Sequence, residues 1–315
     1  MVTVVGAGVS GLTTAVVLKR AGFDVQVITD RPPDELVSWV AGAIWTIPDL
    51  VGEQPNAGWA MRAREVFADL AERFGTGVSS LYHRDLFRDD PGPVWWEATP
   101  WVERLDPPDG YACALGVLGF IIDPSEYLSW LRQELESLGG TVTNRHLASL
   151  DEVDGDVVNA SGLGAERLAA DTGMYPIRGQ VVAVIAPNVD DGVSDESDPD
   201  RIAYVYPRQR EVILGGVRQI GVADHAADPA ETERILADTA VLDPRLTGAR
   251  IVDVRVGLRP GRDRVRVELE PDGARRIVHN YGHAGQGYLL SWGCAEQVLT
   301  LLGEPAQHAR GREGV

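Results

Sequence analysis

The chain has 315 residues, 44% hydrophobic and 24% charged, and its 29 basic against 47 acidic side chains give a formal net charge of −18. Length suggests roughly two domains with a large buried core, and the acidic balance excludes nucleic acid and anionic membrane as partners, since both need basic surface. Cys113 and Cys294 are too few and too far apart for a disulfide framework; an apolar run starting at residue 2 leaves no room for a leader, and none reaches membrane-spanning length, so a cytoplasmic protein is expected.

Residues 2–5 form an apolar run that breaks into Gly6, Ala7, Gly8, Val9, Ser10 and Gly11. An apolar helical stretch over 12–21 follows, then a β-rich run over 24–28, and Asp30 stands 24 positions after Gly6. This is the full dinucleotide-binding context. Gly6 permits the tight turn, Gly8 lets backbone approach a pyrophosphate, and Gly11 brings helix against strand. Unpaired N–H groups at the helix start would hold phosphates, and Asp30 would accept from a ribose diol.

After a turn at 31–34, residues 38–48 are apolar and small without clean periodicity, either close-packed core or backbone lining a flat ligand. Met61, Val66, Phe67, Leu70, Ala71 and Phe74 recur at helical spacing over 59–74. Residues 115–122 are a strand-sized run, and Asp123 opens a helix over 124–138 that Gly139 and Gly140 end, with a strand at 141–143. A buried strand at 156–160 stops at Ser161 and Gly162, which are a second cofactor candidate because strand carboxyl ends face the ligand in doubly wound sheets; a plain turn is the alternative. Residues 187–200, with six acidic side chains, read as a solvated loop or lid. Strands are expected at 202–207 and 211–216, a helix at 229–242, and strands at 252–256, 264–269 and 276–278. A second glycine-rich turn, Gly282 to Gly287, opens a last helix over 289–302.

That second turn bears on the cofactor. A nicotinamide enzyme has no obvious need of another positively polarised helix start, whereas a flavin gathers negative charge near N1 and the C2 carbonyl on reduction. Arg259, placed after a strand and fixed by Pro260, suits bidentate capture of a carboxylate; an ordinary surface arginine is the alternative. Tyr204 and Tyr206 are assigned to opposite faces of their strand, so that one at most looks into a given pocket. His279 and His283 lack an accompanying cysteine or carboxylate cluster, and no metal is expected. No nucleophile elbow or Cys–His framework presents itself.

Taken together, the motif around Gly6, Gly8 and Gly11, the run from Trp39 to Trp45, Val158 to Gly162, Ala203 to Pro207, Gly257 to Pro260 and His279 to Gly287 resemble the D-amino acid oxidase family of flavoproteins, which includes D-aspartate oxidase. The resemblance covers essentially the whole chain. It implies an α/β fold: a Rossmann-type FAD-binding domain (1–55, 141–178 and 255–315) interleaved with an α+β substrate domain on a mixed β-sheet (56–140 and 179–254). It implies FAD held by the turn from Gly6 through Ala7, Gly8, Val9 and Ser10 to Gly11, and by Asp30 and Arg31. Ala41, Gly42 and Ala43 would lie along the isoalloxazine, Ser161 and Gly162 near the diphosphate or adenosine end, and Gly285, Gln286, Gly287, Tyr288 and Leu289 over the pyrimidine edge. Arg259 and Tyr204 would bind the substrate carboxylate, and the Gly285 carbonyl would accept from the amine. The implied reaction is oxidative deamination of a D-amino acid by hydride transfer from Cα to flavin N5, with dioxygen giving hydrogen peroxide. A homodimer is allowed. Where vertebrate members carry a lid tyrosine this chain has Asp200, so a tyrosine gate is not expected. Arg218 occupies a position where D-aspartate-specific members bind the side-chain carboxylate, which leaves acidic substrates open beside the favoured neutral ones. Two further alternatives are a glycine or amine oxidase of the same fold and a non-catalytic FAD- or NAD(H)-binding redox sensor.

Overall fold

The computed structural model describes residues 1–46, 56–92, 99–198, 201–270 and 275–303. Two sheets organise them. The first has the order β15-β16-β8-β1-β2-β7: β1 (Val2–Val5), β2 (Val25–Thr29), β7 (Thr141–Asn144), β8 (Asp156–Asn159), β15 (Arg266–Leu269) and β16 (Ile277–Tyr281). Its five strands from β16 to β7 are parallel, and β15 is an antiparallel edge. Strands β1 and β8 are buried almost throughout, as expected where helices and loops cover both faces.

The second sheet is mixed. It contains β3 (Ile44–Trp45), β4 (Val78–Phe87), β5 (Val102–Leu105), β6 (Cys113–Ile122), β9 (Tyr175–Ile185), β10 (Gly192–Asp195), β11 (Ala203–Pro207), β12 (Val212–Gly215), β13 (Gln219–Ile220) and β14 (Arg250–Gly261). The main path runs β13-β9-β12-β11-β10-β4-β6-β3, while β14 pairs along β9 and β5 along β6. The two sheets meet where β14 brings Arg259 and Pro260 beside the Gly282 turn, since the Ala284 amide donates to Pro260 O at 2.9 Å.

The helices are α1 (Val9–Arg20), α2 (Val37–Val40), α3 (Asn56–Ala71), α4 (Pro124–Ser137), α5 (Ala165–Leu168), α6 (Pro229–Leu242) and α7 (Gly287–Leu302). Residues 11–18 of α1 are all buried, because α7 and α4 pack against a helix that also lies on the parallel sheet. Leu12, Leu18, Leu290, Val298, Leu131 and Leu135 join that core, each worth about 1.5–3 kcal/mol when taken out of water. Asp123 caps α4 as expected, accepting from the Ser125 amide at 2.9 Å.

Several expectations change. Residues 192–195 are not a solvated loop: they form β10, paired parallel to β4 and antiparallel to β11, and all are buried. The acidic side chains there are satisfied locally, Asp195 by Arg88 at 2.7 Å and Tyr111 at 3.0 Å, and Asp191 by Arg84 at 3.0 Å. Asp200 lies outside the described residues. Strand β14 is longer than expected and carries Arg259 within it, opposite Ile177. Strands β4, β5 and β9 go beyond the expectations; the polar run from His83 to Asp85 in β4 and the Pro176 and Gly179 in β9 hide their periodicity. Cys113 and Cys294 are both buried.

Candidate active site

The carboxyl ends of β1, β8 and β16 converge, and the turns that follow them line a cleft of about 900 Å³. The glycine turn is as tight as its sequence requires. A Cβ on Gly6 would lie 2.3 Å from Ala160 O, and one on Gly11 would lie 1.9 Å from Gly6 O. These are backbone obstacles, so only glycine lets β1, β8 and the start of α1 approach this closely. The turn before α7 sits against the same helix start: Ser10 Oγ and His283 Nδ1 are 3.5 Å apart, and Asn280 Nδ2 donates to Thr14 Oγ1 at 3.0 Å.

Ala7, Gly8, Val9 and Ser10 line the cleft with Gly6, and Asp30 and Arg31 line it at the end of β2. Ala41, Gly42 and Ala43, then Ser161 and Gly162, then Gly285, Gln286, Gly287 and Tyr288 complete that wall. Gly11 and Leu289 do not line it. Gly11 is consumed by packing against Gly6, and Leu289 is buried in the helical core. Asp30 Oδ2 faces His146 Nδ1 at 3.3 Å, and the Ser161 hydroxyl turns inward to Asn159 Oδ1 at 2.6 Å.

The same cleft is lined by Tyr204 and Arg259. The tyrosines require a correction: positions two apart on a strand share a face. The rings of Tyr204 and Tyr206 stack at 4.3 Å with 13° between their planes, and both line the cleft. Burial pushes the Tyr204 phenol up, and the neighbouring Arg259 charge opposes that shift. Arg259 Nη1 donates to Val217 O at 3.0 Å. Its guanidinium lies over Gly179, where a Cβ would come within 2.6 Å of Nη2, and its Cδ lies 3.7 Å from the Cβ position of Gly285. Arg218, His225 and Glu196 line the cleft with exposed side chains.

His279 and His283 diverge. His279 Nε2 pairs with Glu270 at 2.9 Å, and burial lowers its pKa. His283 is buried, which pushes its pKa down to about 4, and its Nε2 has no protein partner among the described residues. No cluster of three or more metal-binding side chains occurs among the described residues.

Several contributing residues carry no motif. Ser38 Oγ accepts from the Val9 amide at 3.0 Å, while its carbonyl accepts from the Tyr288 hydroxyl at 2.7 Å. Arg208 holds the carbonyls of Ala41 and Gly42 from 167 and 166 positions away. Nothing local in the sequence marks such long-range contacts; the one available hint was Ser38 at the start of the small-residue run.

Residues 1–301 match the family described as FAD dependent oxidoreductase. The chain is 40% identical over 309 residues to a D-amino-acid oxidase of Rubrobacter xylanophilus, with 95% of each chain covered. It is 32% identical to a D-aspartate oxidase of Homo sapiens, covering 96% of this chain and 94% of the other. In fold it is similar to glycine oxidase from Geobacillus kaustophilus, with a TM-score of 0.84, 19% identity, and 97% and 95% of the two chains covered. The residues present fit FAD: the turns at Gly6 and Gly282 frame a long cleft, and buried polar atoms without protein partners, Asn280 Oδ1 and His283 Nε2, belong to residues that line it. No helix among the described residues is long and apolar enough to cross a membrane.

Proposed function

We propose that this chain, which belongs to the FAD-dependent oxidoreductase family, oxidatively deaminates D-amino acids with neutral side chains. The observation that carries the reading is that Arg259 and Tyr204 line the same cleft as both glycine turns, with Arg259 Cδ 3.7 Å from the Cβ position of Gly285 in the second turn. Arg259 is held by Val217 O through Nη1, and the rest of the guanidinium suits an anionic oxygen. The Tyr204 phenol, kept protonated by burial, donates to the same carboxylate. The Gly285 carbonyl accepts from the amine. These three contacts fix Cα, and fixed orientation replaces a proton-abstracting side chain. When bound, FAD would supply the two-electron oxidation, with dioxygen as the final acceptor giving hydrogen peroxide. The imino acid then hydrolyses to a 2-oxo acid and ammonia.

The Gly6 to Ser10 turn would hold the diphosphate, Asp30 the ribose, Ala41 to Ala43 the ring face, and Gly285 to Tyr288 the pyrimidine edge. The preference for neutral side chains is supported by the cleft lining, to which Arg218 and Glu196 bring charges of opposite sign. A second carboxylate therefore meets no single-sign field.

The test is anaerobic bleaching of the flavin band by a panel of D- and L-amino acids, with Arg259→Leu alongside. The variant should raise KM for D-alanine by about 10²-fold or more, as expected when a charge-assisted pair of hydrogen bonds worth about 3 kcal/mol is lost. An equal effect on simple amines would remove the carboxylate clamp, and bleaching by L-amino acids alone would remove the stereochemical assignment.

A further inference from the structure

We propose that Arg208 is a positioning residue: by gripping the carbonyl oxygens of Ala41 and Gly42 it turns the amide N–H groups of Gly42 and Ala43 toward the cleft as a fixed, positively polarised pair. The inference rests on the flavin reaction proposed above and extends it to a residue that does not line the cleft.

Arg208 Nη2 donates to Ala41 O at 2.6 Å and to Gly42 O at 2.8 Å. The two peptide bonds concerned are trans. In a trans peptide the C=O and N–H vectors are antiparallel, so holding both carbonyls on one side sends the next two N–H groups to the other. Ala41, Gly42 and Ala43 line the cleft while Arg208 stands behind them, its side chain 3% exposed. The Ala43 carbonyl is used by the Ile122 amide at 2.9 Å, whereas the Gly42 and Ala43 amides make no hydrogen bond among the described residues. Two adjacent donors on a ligand-facing wall without a protein acceptor point to an acceptor in the ligand.

The guanidinium is itself fixed. Its Nη1 meets Glu211 Oε1 at 3.4 Å, and Arg255 grips both Glu211 oxygens at 2.7 and 2.8 Å. From the side, Tyr206 closes on the segment: its ring carbons lie 3.1 and 3.2 Å from the Cβ position of Gly42. Burial lowers the pKa of Arg208, yet a guanidinium stays charged at any physiological pH. A cation placed behind two peptide groups polarises them, and in a site with little water such preorganised donors stabilise negative charge that develops opposite them. In the proposed reaction that charge appears on the ring when it accepts two electrons. Arg208 acts on it through the Ala41–Gly42–Ala43 backbone, without touching substrate.

The test uses holoprotein and sulfite, an anion that adds to oxidised flavin and leaves negative charge on the ring, with FAD affinity of the apoprotein measured in parallel. Arg208→Met should weaken sulfite binding by about tenfold or more while the yellow protein stays folded, corresponding to about 1.4 kcal/mol of lost stabilisation. Arg208→Lys, which keeps a cation able to reach one carbonyl, should stay within about threefold of wild type. A folded, yellow Arg208→Met protein with unchanged sulfite affinity overturns the proposal. If Arg208→Met does not retain FAD, Arg208→Lys decides: sulfite affinity near wild type supports the role, and a loss as large as about tenfold overturns it. Failure of the reaction reading is separate, since it would show as wild-type flavin that D-amino acids do not bleach.

Discussion

Adding one methyl group at Gly179 should disable the carboxylate clamp while leaving the fold in place. The Cβ of Gly179→Ala would lie 2.6 Å from Arg259 Nη2, 2.7 Å from Cζ and 3.0 Å from Nη1. Carbon and its neighbours settle at about 3.5–4.0 Å, so the guanidinium must retreat by about 1 Å. The retreat is cheap for the protein, because the obstacle is the end of a flexible side chain and the Gly179 backbone lies outside the left-handed region. Alanine also narrows the unfolded ensemble by about 0.4–1 kcal/mol, which offsets part of the crowding. For catalysis the same movement is severe: a misplacement of about 1 Å costs about 10²-fold, or roughly 2.7 kcal/mol of transition-state stabilisation. Steady-state kinetics on D-alanine should therefore show kcat/KM down by about 10²-fold, with apoprotein affinity for FAD and the thermal midpoint nearly unchanged. A variant that folds, binds FAD and keeps kcat/KM within about threefold of wild type would refute the assignment of Arg259.

Gly11→Ala tests the packing of the first glycine turn against α1. Its Cβ would meet Gly6 O at 1.9 Å and Gly6 C at 2.9 Å, both backbone, so α1 must shift at a cost of about 1–3 kcal/mol or more. FAD affinity and the denaturant midpoint should fall together; an unchanged dissociation constant would contradict the packing argument. His283 predicts a pH dependence. Its folded pKa, about 4, lies below the unfolded value of about 6.5, so the unfolded chain binds a proton first and stability falls as pH drops from about 6.5 towards 4. His283→Asn should remove that component, about 2–3 kcal/mol by pH 4.5, visible as a converging difference in denaturation midpoints between variant and wild type. Identical pH slopes for the two proteins would show that the imidazole is not held neutral.

The residues near the start of the chain determined a great deal by themselves. The spacing of Gly6, Gly8, Gly11 and Asp30 dictates a parallel strand–helix–strand unit, because the turn, the close helix and the acidic residue after β2 are all local in sequence. Amphipathic periodicity likewise placed α3 and α4. What tertiary structure decided was the work of residues whose partners are remote. Ser194 and Asp195 became buried strand because β4 and β11 flank them, which no composition of an acidic stretch discloses. Tyr204 and Tyr206 share a face and form one stacked wall. Arg208 meets Ala41 and Arg259 meets Val217 and Gly179 only when the ten-stranded sheet is assembled. A turn or a helix is fixed by neighbours within a few residues, whereas a hydrogen bond across more than a hundred positions exists only after long-range strand pairing has brought its two ends together.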